Sequence, residues 1–440
     1  MPILNPHRLH VINAHLPLLN DHLWYELIAD HGVWTSITAS HELKVSSDAI
    51  PIHSSHAIDH DGKQAKVIDL QGRIALPGLV DMHLHLDKAL SLPQVGNRSG
   101  TLMEAIVNYS QQAATFTKDE IRERILQTAQ MGLQHGTIHM RTHLDIPLGL
   151  GREVWQRTVD AALEAKELLR GRVRLQLFPM LSFDEAPEYM TDLASELIKL
   201  GMDGLGGCPH LANDPEADIR ELFLAAVKLG VPIDLHVDER DDPTIRTIVP
   251  IAETTIAHGL TGKVSAGHLC SLSSMPPEDA EPIIELMARA KVGAVTLPAA
   301  NLYLQGRDDQ GPFRRGVTRV QQLLQAGVPT AIGSDNIRDP FHPFGKGDLV
   351  QVALLTAYAA HMGSIDDPAR LLRMISATPA TLMQLTQYGF HPSGAADLVV
   401  LDALDPFELL VDGSSSRWVA VDGRWVSATV KERRVNIAPA

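Results

Sequence analysis

Eight short apolar runs separated by amphipathic segments occupy the chain from Leu76 to Asn336, and this alternation constrains the fold more than any other feature. The runs are LPGLVDMHLH (76–85), TIHMRTHLD (137–145), RVRLQLFPML (172–181), MDGLGGCPH (202–210), PIDLHVDE (232–239), KVSAGHLC (263–270), KVGAVTLPAANL (291–302) and PTAIGSDN (329–336). Between them, DEIRERILQTAQMGLQHG, EVWQRTVDAALEAKELLRG, DIRELFLAAVKLG and VTRVQQLLQAG space apolar residues three and four apart. That spacing is helical, and the Gly that ends several of them stops a helix. Eight strands alternating with helices predict an α/β fold, a parallel (β/α)8 TIM barrel, here over residues 76–389.

The flanks differ in character. Residues 1–75 are interrupted by Pro, Asn, Gly and Asp and carry short alternating runs such as YELIADHGVWTSI. The tail returns to this style in ADLVVLDALDPFELL and SRWVAVDGRWVSATV, where Asp-Gly separates two strand-like runs. Both ends are expected to form one small β-sandwich domain from residues 1–75 and 390–440. The stretch SLPQVGNRSGTL, between the first two barrel strands, is expected to loop over the barrel mouth.

Composition narrows the function. With 45% hydrophobic and 21% charged residues, the 440-residue chain has the make-up of an ordinary globular protein. A formal charge of −15 argues against a nucleic-acid or anionic-membrane surface. Two cysteines, Cys208 and Cys270, offer no disulfide framework and suit a reducing compartment. The opening MPILNPHRLHVINAH lacks the basic start and apolar core of a signal peptide, and no run reaches membrane-spanning length. A cytoplasmic location is expected.

The chemistry sits where the runs end. Residues two apart on a strand share a face, so His83 and His85 point the same way at the first strand's end. His236 falls near the end of the fifth run, His268 of the sixth and Asp335 of the eighth. Strand C-termini build the active site of such barrels. Three imidazoles and a carboxylate converging there suit one divalent ion, Zn²⁺ or Fe²⁺. A lone His-x-His is more often two ordinary histidines; the convergence of five residues makes the metal reading the stronger. Glu239, three residues past His236, is placed for proton transfer. Other signals are weaker. His139 and His143 read as hydrogen-bonded barrel interior and Cys270 as packing, while Lys88 either touches substrate or pairs with Asp87.

LPGLVDMHLHLDK, SGTL, RTHLD, HVDERDD, GHLCSLSSM and NLYLQGRDDQGPFRRGVTRV together resemble the cytosine deaminase group of the amidohydrolase superfamily. SDNIRDPFHPFGKGD is more similar to the s-triazine relative, N-isopropylammelide aminohydrolase. The resemblance covers nearly the whole chain. It implies that His83, His85, His236 and Asp335 bind one metal. It further implies that Glu239 delivers a proton to a ring nitrogen, while His268 and Asp335 handle the proton of the attacking water. A homo-oligomer acting on a small heterocyclic substrate is expected.

The substrate carries over less well than the reaction. Leu102 and Phe178 match the family's substrate contacts. Where cytosine deaminase has a glutamine after the third strand's Phe-Pro, this chain has Met180. Asn336 replaces the second acid of an Asp-Asp pair, and Phe341 replaces a tryptophan. A deaminase of an amino-substituted nitrogen heterocycle, not specific for cytosine, is therefore expected. The alternatives are release of an N-alkylamine or ring-amide hydrolysis on the same site, and a non-catalytic barrel kept as a scaffold.

Overall fold

The computed structural model describes residues 8–54, 57–58, 67–413 and 416–431. The start of the N-terminal segment read above for a signal peptide lies outside them. The chain divides into two compact units: residues 1–79, 133–138 and 386–440, and residues 80–132 and 139–385.

The barrel strands are β1 (Leu79–Leu84), β2 (Thr137–Asp145), β3 (Arg174–Met180) and β4 (Leu205–Gly207). They continue with β5 (Ile233–Val237), β6 (Val264–His268), β7 (Gly293–Thr296) and β8 (Thr330–Ile332). Each pairs with its neighbours in chain order, and the pairings from β2 to β8 are parallel. Leu84 pairs with Asp335, and Asp335 N donates to His83 O at 2.9 Å, which brings the last strand back to the first. β5, β6 and β7 are buried along their whole length, polar side chains such as Asp234, Ser265 and Thr296 included. This is the (β/α)8 TIM barrel that the alternation of runs predicts.

Helices follow the strands where apolar spacing and caps agree. Asp214 caps Pro215–Leu229 by accepting from Ala217 N, and Gly230 ends it in the left-handed region at φ 70°. Three local expectations shift. KVGAVTLPAANL is strand only to Thr296, because Pro298 opens a helix, Pro298–Leu304. In VTRVQQLLQAG only Val320–Gln325 is helical. SLPQVGNRSGTL is partly helical: Leu92–Val95 form one turn, and Thr101 caps a new helix, Leu102–Ala113, by accepting from Glu104 N.

The terminal segments form a separate nine-stranded mixed sheet. Its strands from the tail, Leu398–Leu401, Arg417–Val421 and Arg424–Thr429, join those from the head through Ile74–Leu76. Residues from distant strands, Leu27 and Trp418 among them, share one buried core. The layers of the expected sandwich are thus parts of one continuous sheet.

Candidate active site

Four barrel strands aim the expected residues at one point. His83 lies in β1 and His85 just beyond it; His236 lies in β5 and His268 ends β6. Asp335 follows β8 in the left-handed region, at φ 58°. An L-residue adopts that conformation at a cost, so neighbouring contacts must impose it. Here the Asp81 carboxylate accepts from Ser334 N at 3.1 Å and from the Ser334 hydroxyl, pinning the residue before Asp335 to β1.

The donor atoms converge closely. His236 Nε2 is 3.2 Å from His83 Nε2 and 3.1 Å from His85 Nε2. His85 Nε2 is 3.5 Å from Asp335 Oδ1. Both Asp335 oxygens are buried and lack hydrogen-bond partners. Nitrogens each about 2.0–2.1 Å from one ion, at the tetrahedral angle, stand about 3.3–3.4 Å apart, within about 0.3 Å of the spacing here. The histidine spacing fits that arrangement, and the unpartnered carboxylate fits a ligand better than a satisfied core residue. His83–His85–Asp335 and His83–His236–His268 are each close enough to hold an ion.

Room for this cluster is written into the backbone. Gly267 stands opposite His236 in the β5–β6 register. A Cβ there would lie 2.7 Å from the His83 ring, so only glycine lets the ring occupy its place.

Electrostatics divide the cluster into roles. Burial and the neighbouring imidazoles hold His83 and His236 well below the ordinary histidine value, so both are neutral and able to donate a lone pair. Burial likewise brings His268 down to about 3. Burial, then Glu239 and Asp339, push the Asp335 carboxyl well above the usual range, a direction that a bound cation would reverse. Glu239 is pushed up to about 8 by burial, against the opposing charges of Lys88 and Arg240. At neutral pH its carboxyl keeps a proton that it can give away. Its Oε1 is 3.6 Å from His268 Nδ1. Asp238, just before it, caps the next helix by accepting from Thr247 N and Ile248 N, which anchors the Glu239 loop.

A cavity of about 300 Å³ opens on this cluster. His85, His236, Glu239, His268 and Asp335 line it, as do Lys88, Leu102, Met180, Asn336 and Phe341. Phe178 is not on its wall; the ring is buried in the barrel, stacked under Arg141 at 4.4 Å. Lys88 pairs with Asp145, not Asp87, at 2.9 Å, and its ammonium lies 4.9 Å from the Phe341 ring centre. Burial opposes the Lys88 charge, but Asp145 and Asp87 outweigh it and raise its pKa. The Asn336 amide nitrogen donates to Asp339 at 2.8 Å, leaving Oδ1 as its free acceptor.

Several contributors gave no signal in the sequence reading. Ile106, Tyr109, Ile146, Cys208 and Leu211 add a largely apolar wall. His143, expected to be hydrogen-bonded, is buried with no hydrogen bond at either ring nitrogen; its Nε2 lies 3.7 Å from Asp234 Oδ1 and its ring 4.3 Å from that of His83. Cys270 is buried beside Asn301. Among the described residues, no helix is long and apolar enough to cross a membrane.

Residues 66–169 and 162–427 match the amidohydrolase family. The chain belongs to that family. It is 34% identical over 372 residues to a pterin deaminase of Rhizobium rhizogenes, covering 83% of each chain. It is 29% identical to N-isopropylammelide isopropyl amidohydrolase of Pseudomonas sp., covering 83% of this chain and 88% of the relative. Among solved structures, 5-methylcytosine deaminase from Klebsiella pneumoniae, liganded with 5-fluorocytosine, superposes with a TM-score of 0.86. That match has 28% identity over 97% of this chain and 99% of the other. The chain is a hydrolase of C–N bonds outside peptides, of the deaminase-like kind.

Proposed function

We propose that this amidohydrolase is a deaminase using one divalent metal ion, Zn²⁺ or Fe²⁺, and acting on an amino-substituted nitrogen heterocycle larger than cytosine. Water adds at the ring carbon that bears the amino group; the C–N bond breaks, ammonia leaves, and the carbon becomes a carbonyl. His83, His85, His236 and Asp335 would hold the ion, which would supply Lewis acidity toward the attacking water.

The chain's own residues supply the rest. Glu239, protonated at neutral pH, delivers its proton to the ring nitrogen next to the reacting carbon. His268 and Asp335 accept the proton of the attacking water. Lys88 stays charged and offers a donor at the cavity wall, beside the Asp145 acceptor. Leu102, Met180 and Phe341 give apolar contact, and Asn336 Oδ1 an acceptor.

The observation that carries this reading is a protonated carboxyl and a convergent His/Asp set on the wall of one cavity. The apolar wall of Ile106, Ile146, Met180, Leu211 and Phe341 favours a bicyclic ring of the pterin kind, which agrees with the substrate named for the Rhizobium relative. A screen of ammonia release over pterins, purines, pyrimidines, triazines and creatinine-like compounds tests it. A pterin or comparable bicycle is expected to lead, and silence from every class would overturn the proposal. The same wall also suits an alkyl substituent, and the Pseudomonas relative is named for N-isopropylammelide. Isopropylamine release without ammonia would establish this second reading instead.

A further inference from the structure

The segment NLYLQGRDDQGPFRRG, Asn301 to Gly316, has no part in the reaction as outlined, yet three of its side chains reach the site. Asn301, on the helix Pro298–Leu304, is 2% exposed. Its Nδ2 donates to the Gly316 carbonyl at 3.1 Å and faces the Cys270 sulfur. A backbone carbonyl only accepts, which fixes the amide with its nitrogen toward Gly316. Its Oδ1 is therefore the atom facing His268 Nδ1, 3.3 Å away. That oxygen also only accepts, so His268 must carry its hydrogen on Nδ1. Nε2 keeps a lone pair. It is buried and has no hydrogen-bond partner, and His268 belongs to the group formed with His83 and His236.

We propose that Asn301 is a positioning residue that selects the Nδ1–H tautomer of His268, so that Nε2 presents a lone pair to the attacking water. The proposal rests on the deaminase reading of the site. With the opposite tautomer, an N–H would point into the cluster and His268 could not accept a proton. Glu239 Oε1 also lies near Nδ1, but at 3.6 Å it is beyond hydrogen-bond reach. Asn301 thus satisfies the imidazole and leaves the Glu239 carboxyl for substrate. The same segment steadies Glu239 itself: Gln305 Nε2 donates to the Glu239 carbonyl at 3.2 Å, and Arg314 donates to the Asp241 carbonyl. The backbone around His268 needs such support, because His268 and Leu269 are both left-handed, at φ 68° and 54°.

The test is long-range ¹H–¹⁵N correlation on zinc-loaded, full-length protein labelled in histidine, with His268→Gln to assign the resonance. The wild type is expected to show His268 protonated on Nδ1 and bare on Nε2. Asn301→Leu is expected to move the proton wholly or partly to Nε2 and to lower kcat about 10–100-fold, the scale of lost outer-shell partners, with KM little changed. Asn301→Asp keeps an acceptor and should retain Nδ1–H. Cys270→Ala should leave the spectrum unchanged, because Gly316 still orients the amide. A wild type protonated on Nε2, or an unaltered His268 pattern in Asn301→Leu, would overturn the proposal. The wild-type spectrum decides the tautomer even if the leucine variant does not fold. It also needs no turnover, so a failure of ammonia release counts against the deaminase reading and not against the tautomer.

Discussion

Replacing Glu239 by Gln should weaken the enzyme and stabilise the metal-free protein at alkaline pH. In the folded chain burial raises this carboxyl from 4.5 to about 8. Between those values the folded state binds a proton that the unfolded state has released. Stability therefore falls as pH rises through the window and levels off above about 8. At 1.36 kcal/mol per unit, a rise of about 3.5 units gives an upper bound of about 5 kcal/mol; relaxation around the buried charge reduces it, so about 2–5 kcal/mol is expected. The glutamine amide has nearly the same shape and never ionises, so the variant should lack this component of the pH dependence. Asp81, Asp234, Asp238 and Asp339, each pushed up to about 6 by burial, titrate the same way in both proteins and cancel in the comparison. The assay is urea denaturation of chelated wild type and variant at pH 5 and pH 8.5. The wild type should lose about 2–5 kcal/mol more than the variant between those two conditions. In the metal-loaded enzyme the variant should keep its metal and lose about 10²–10⁴-fold in turnover. Identical pH dependence in the two proteins would refute the claim that Glu239 is buried as a neutral acid, and near-normal turnover would remove it from the proton path.

Elemental analysis of protein purified without added metal should find one divalent ion per chain; a value near two would exclude the single-ion site. Gly267→Ala puts a methyl 2.7 Å from the His83 ring, so metal affinity should fall about 10–100-fold while circular dichroism stays native; unchanged affinity would show that the ring has room to shift. Cytosine should be a poor substrate, with kcat/KM below about 10⁴ M⁻¹s⁻¹, because Met180 offers its edge almost no hydrogen bond. Each missing bond costs about 0.5–1.5 kcal/mol. Met180→Gln with Asn336→Asp should raise cytosine turnover, and efficient turnover by the wild type would contradict this view of the pocket.

The barrel was legible because its signal is repeated. Eight runs bounded by helical spacing leave few alternatives, and their C-terminal polar residues mark which face carries the chemistry. Boundaries were less legible. Pro298 ends one run two residues past Thr296, and the capping oxygen of Thr101 converts an apparent loop into a helix. In both places a single local interaction outweighs the hydropathy pattern.

Side-chain environment was the part that sequence could not carry. Lys88 sits next to Asp87 in the chain, yet it bonds Asp145, because a turn after β1 brings the end of β2 closer than the preceding residue's carboxylate. His143 reads as an ordinary core histidine until its ring is found against His83. Phe178 follows the family pattern in sequence but lies inside the barrel, where Gly204 leaves the space that its ring fills. Asn301 is the sharpest case. Its relevance depends on which end of a symmetric-looking amide faces His268, and that is settled by a glycine carbonyl fifteen residues later. Residues that touch the metal or the ring are constrained by their chemistry and so announce themselves by type. Residues that orient them need only one well-placed acceptor, which many side chains could supply, so only the folded geometry identifies them.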